Sequence, residues 1–123
     1  MIEPWCPLPN INDRFDLEEL RDNADGLFIT LTSESDRALR IDVSSPLTHR
    51  SQLRTLNEAE WARIAADSGP GTFWQVKDSS WARTCGMDQA LHYLVLTSDH
   101  VVEFLTDQVP HISWLDNFFG DAV

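Results

Sequence analysis

The chain has 123 residues, of which 42% are hydrophobic, 10% aromatic and 24% charged. Those are the proportions of one ordinary globular domain with a real core and little room for a second. Twenty acidic residues face nine basic ones, and the formal charge of -11 disfavours binding to nucleic-acid phosphates or anionic membrane surfaces while favouring a basic partner.

Met1 to Asn12 holds Pro4, Pro7 and Pro9 and cannot form a helix interior. Trp5, Leu8 and Ile11 predict a proline-rich arm (1–12) packed on the single domain 1–123. The arm shows no basic region followed by an apolar run, so no signal peptide is read there. Asn12 or Asp13 is placed to cap a helix through Arg14–Arg21, with Phe15, Leu17 and Leu20 turned inward and Asp25-Gly26 as its stop.

Leu27–Thr32 is rich in β-formers, and Leu39, Ile41 and Val43 alternate with Arg40 and Asp42. Two such runs about the polar turn Ser33–Asp36 predict an antiparallel hairpin. Ser44–Thr55 reads as a loop or irregular edge. Asn57 then caps a second helix over Glu58–Asp67, which Gly69-Pro70-Gly71 ends.

Thr72–Lys77 predicts a third strand, and Asp78–Gln89 a connecting loop. Leu91–Thr97 is apolar on both faces and belongs in the middle of a sheet. A tight turn at Ser98–His100 joins it to Val101–Thr106 as a second hairpin. After Pro110, Trp114–Phe119 reads as one last helical turn. The order predicts an α+β domain, a mostly antiparallel sheet with two hairpins and two helices packed on it.

Spread evenly over the surface, the charge amounts to one net negative charge per ~600 Å². A standard interface would then meet only one or two, so recognition by charge requires clustering. The predicted helix carries Asp16 and Glu19, and the predicted loop carries Asp78 and Asp88 beside Trp81. These five residues are the candidate partner-binding surface, with Trp81 as its hydrophobic anchor.

Catalytic and metal chemistry find weaker footing. Cys85 with His92 or His49 as base is the one nucleophile arrangement the residue types allow. His92, His100 and His111 show no ligand spacing, and Cys6 and Cys85 form neither a metal pair nor a disulfide framework. No cofactor is expected. The longest apolar runs are far too short to span a bilayer, and cytoplasmic residence with reduced thiols is expected.

The strand Leu39-Arg40-Ile41-Asp42-Val43 is followed by Ser44-Ser45 and His49-Arg50. His92–Thr97, a short turn, Val101–Leu105 and Pro110 follow later. In these features the chain resembles small acidic bacterial immunity proteins encoded beside polymorphic toxins, including those of contact-dependent growth inhibition. The resemblance implies stoichiometric binding to a cognate toxin domain, often a basic nuclease, and it carries over no residue role. The competing expectations are a small cytoplasmic hydrolase using Cys85 with a histidine base, and an oligomeric domain with no separable activity.

Overall fold

Leu27, Ile29 and Leu31 recur at every second position, as do Leu39, Ile41 and Val43, so each run can bury a single face only when extended. In a computed structural model, which describes residues 2–5, 14–34, 36–53, 59 and 72–115, they are adjacent strands of an antiparallel sheet. The strands are β1 (Ile2–Pro4), β2 (Phe15–Asn23), β3 (Gly26–Ser33), β4 (Ala38–Val43), β5 (Pro46–Leu53), β6 (Phe73–Val76), β7 (Leu91–Leu96), β8 (His100–Thr106) and β9 (His111–Trp114). One short helix, α1 (Ser80–Thr84), lies between β6 and β7.

The strands form a four-stranded sheet, β2-β3-β4-β9, and a five-stranded sheet, β1-β6-β7-β8-β5, with every pairing antiparallel. One core joins them. Phe15, Leu27, Ile29, Leu31, Leu39, Ile41, Val43 and Ile112 come from the first sheet; Phe73, Tyr93, Val95, Val102 and Phe104 come from the second. Phe15 meets Phe73 edge-on across the two layers, with ring centroids 5.9 Å apart. Trp5 closes over Tyr93 at 4.6 Å. The architecture is a β-sandwich.

Both expected hairpins are present, β3 with β4 and β7 with β8. β7 is the middle strand of five and is buried on both faces from His92 to Leu96, as the apolar run Tyr93–Leu96 requires. Its outward side carries a second cluster of Trp74, Leu94, Leu96 and Val101, with Ile2 packed against it.

The α+β expectation of two helices packed on a sheet is overturned. The Arg14–Arg21 segment is not a helix but β2, paired with β3 from Phe15↔Ser33 to Asn23↔Gly26, with a bulge between Leu17 and Glu19. That bulge is the physical reason for the misreading. Phe15 and Leu17 follow a two-residue period, one extra residue intervenes, and Leu20 resumes it; the resulting spacing imitates a helical stripe. Glu, Leu and Arg favour helices only weakly, and pairing with β3 overrides that preference.

The second expected helix, Glu58–Asp67, lies outside the described residues apart from Ala59. Ser44–Thr55, read as a loop or irregular edge, contains the eight-residue edge strand β5. The expected loop Asp78–Gln89 contains α1, and Trp114 ends a strand rather than opening a helical turn.

Gly26 is fixed by geometry. Its φ is +130°, and a Cβ there would stand 2.5 Å from the Val43 carbonyl oxygen. Only glycine lets β3 leave its turn so close to β4.

Candidate functional site

On the outward face of the five-stranded sheet, strand register brings together polar residues that are distant in sequence. Arg50 on β5 lies directly opposite Glu103 on β8. On the other side of β8, Leu94 faces Glu103 and Leu105 faces His92, so His92 and Glu103 are diagonal neighbours on one face. Glu103 accepts from Arg50 Nε at 2.8 Å and Nη2 at 3.2 Å, the forked geometry of a guanidinium on a carboxylate. It also faces His92 Nε2 at 2.8 Å.

The carboxylate can only accept, so His92 donates through Nε2–H. Its Nδ1 then accepts from the Ser79 hydroxyl, 2.7 Å away. The Ser79 oxygen in turn accepts from the Ala82 N–H at 3.0 Å and caps α1. Trp81, the second residue of that helix, sets its ring edge-on to His92 at 5.2 Å, and the Arg50 guanidinium lies over the same ring at 4.0 Å. The network thus closes on itself, running from Arg50 through Glu103, His92, Ser79 and α1 back to Arg50.

Burial alone would raise the Glu103 carboxyl. The hydrogen bonds from His92 and Arg50, together with the Arg50 charge, outweigh burial and hold it below the usual glutamate range. The order hydroxyl, imidazole, carboxylate is that of a hydrolytic relay. Here, however, Ser79 is 8% and His92 4% exposed, and the serine oxygen is already occupied as a helix cap. The chemistry that follows most directly is structural: a satisfied buried polar chain that fastens α1 and Trp81 to the sheet.

Of this network the sequence reading singled out only His92 and Trp81 as candidate site residues. The signal for Glu103 was a carboxylate in the middle of the apolar run Val101-Val102-Glu103-Phe104-Leu105. Once the hairpin register is granted, it falls beside His92. Ser79 and Arg50 carry no comparable mark.

The five residues expected to form one binding surface are divided between two faces. Asp16 and Glu19 point outward from the four-stranded sheet, opposite Thr32 and Thr30. Asp16 accepts from the Ser98 hydroxyl, and Glu19 lies 3.8 Å from Arg21. Trp81 packs on the outward side of the other sheet, with Asp78 and Asp88 exposed at the two ends of its loop. From His92, which touches Trp81, to Ser98, which touches Asp16, the chain runs the length of β7, ~20 Å. Trp81 is half-buried between His92 and Arg50 rather than standing free.

Nor does the structure join Cys85 to a base. The thiol is free and exposed beyond α1, both His92 ring nitrogens are engaged, and His49 Nε2 lies 3.1 Å from Asp22 Oδ2. Among the described residues no three metal-ligating side chains converge, and no helix is long and apolar enough to cross a membrane.

What the fold does concentrate is negative charge. Asp16, Glu18, Glu19, Asp22 and Asp25 are all exposed along β2 and its turn, with only Arg21 among them. β2 is an edge strand, and His49 of β5 reaches across to its Asp22, linking the edges of the two sheets.

No protein-family model, no curated protein and no solved structure matches this chain.

Proposed function

We infer that this chain is a binding protein that neutralises a basic protein partner stoichiometrically in the cytoplasm, in the manner of a toxin-immunity protein, and that it is not an enzyme. The observation that carries this reading is the acidic edge. Five exposed carboxylates against one arginine occupy the stretch from Asp16 to Asp25, far denser than the even spread of ~600 Å² per net charge. Such a clustered field accelerates encounter with a cationic surface and selects against anionic ones. A nuclease toxin, which must grip phosphate, presents a surface of that kind. Asp78 and Asp88 beside Trp81 form a separate acidic group on the opposite face and do not share a flat interface with β2.

The test is association kinetics with the purified product of the adjacent gene, using the native chain and the triple variant Glu18→Gln/Glu19→Gln/Asp25→Asn. Neutralisation should slow association about tenfold at low salt and leave little difference at high salt. Equal rates at low salt, or no complex with any adjacent product, would overturn the reading. A Cys85→Ser variant should bind as the native chain does. Loss of function in that folded variant would instead favour a thiol hydrolase.

A further inference from the structure

In an antiparallel pair, bonded positions alternate with positions whose N–H and C=O point away from the partner strand. The two-residue turn Ala24-Asp25 makes Asn23 and Gly26 the first bonded pair of the β2–β3 hairpin. Asp22 and Leu20 then fall at the non-bonded positions, and their backbone groups face the open side of β2.

Resumed beyond the bulge, the same alternation turns Phe15 and Leu17 outward, and there the groups are used. The Phe15 carbonyl accepts from Ser98 N–H at 2.9 Å, and Leu17 N–H donates to Asp99 Oδ1 at 3.4 Å. The β7–β8 turn thus does for the first half of this edge what an added strand would do. Among the described residues nothing does the same for Leu20 and Asp22.

Open edges are commonly guarded by charge against pairing. Here the guard has one sign. A second copy of the chain would set carboxylate against carboxylate, whereas a cationic segment would meet complementary charge. Between Glu19 and Asp22 lies the half-buried Leu20, which offers one apolar contact.

We propose that Glu19–Asn23 is a docking edge for a short basic, extended segment of the partner, which adds to β2 as a further strand. Its backbone bonds to Leu20 and Asp22, an apolar side chain covers the part of Leu20 that the core leaves open, and flanking lysine or arginine side chains meet Glu19 and, beside His49, Asp22. The identity of the partner rests on the neutralisation reading; the edge is testable without it.

The probe is a synthetic acetyl-Thr-Lys-Thr-Val-Lys-amide peptide, which set antiparallel to β2 places lysines opposite Asp22 and Glu19 and valine opposite Leu20; it is titrated into the isotope-labelled chain and followed by backbone amide resonances. The Leu20 and Asp22 amides should move furthest and exchange more slowly with solvent, and the Thr-Glu-Thr-Val-Glu counterpart should leave them in place. Asp22→Pro should bind the basic peptide about fivefold more weakly than Asp22→Ala, the value of one backbone hydrogen bond. Both variants lose the carboxylate, but only proline removes the outward N–H, which the β2–β3 ladder does not use. If Asp22→Pro loses the native spectrum, a peptide N-methylated at alternate residues replaces it, with the same expected weakening on the native chain. Equal affinities in the matched pair, shifts confined to other strands, or no shifts at millimolar peptide would overturn the docking edge. A toxin domain that fails to bind, with the peptide result intact, would count against the neutralisation reading alone.

Discussion

Replacing Glu103 with glutamine keeps the side chain's shape and removes its charge, so it isolates what the carboxylate does beneath α1. The bond to His92 is formed between side chains that are 8% and 4% exposed, where a charge-assisted hydrogen bond contributes about 2 kcal/mol. The Arg50 fork involves a side chain that is 52% exposed, and solvent screening reduces its share to about 0.5 kcal/mol. Glutamine offers one acceptor in place of two: with its Oε1 toward the His92 Nε2–H it sets its NH2 group against the Arg50 guanidinium, and with the amide flipped it sets NH2 against the His92 N–H instead. Glu103→Gln should therefore cost about 2 kcal/mol at pH 7 in urea unfolding, with an unchanged slope.

The pH dependence supplies an independent check. The carboxyl titrates lower in the folded chain than its ordinary value of 4.5. Its stabilising contribution is therefore complete above that value and disappears as pH falls through the folded one. The gap between native and variant stabilities should accordingly be constant down to about pH 5 and narrow in more acidic solution. A gap under about 0.5 kcal/mol at neutral pH, or one that widens on acidification, would refute the network as the fastening of α1.

Two further outcomes follow from the packing. Gly26→Ala forces a Cβ to within 2.5 Å of the Val43 oxygen at a φ of +130°, and thermal unfolding should show a loss of about 2 kcal/mol or more. Trp81→Ala removes the surface shared by His92 and Arg50 and should cost about 2 kcal/mol of folding stability; amide exchange should show α1 loosening before the sheets open.

The hairpins were legible in the sequence because their information is local. Leu39-Ile41-Val43 states its own inward face, polar residues mark each turn, and the apolar run Tyr93–Leu96 demands cover on both sides wherever it lies. One core and a strong acidic excess were equally legible, being sums over composition that no arrangement alters. β2 was not. A single extra residue at the bulge shifts Phe15, Leu17 and Leu20 from a period of two toward that of a helix. The bulge exists only because β3 holds the strand in register on both sides of it.

The polar network lay further out of reach. Arg50 and Glu103 are separated by more than fifty positions, and nothing in either neighbourhood announces the other. Their meeting depends on β5 taking the edge beside β8, which is a choice of topology. The same choice sent the acidic residues of β2 and those around Trp81 to opposite faces of a sandwich. Periodicity tells a residue which way to point within its own strand; only the stacking and order of strands decide what it points at.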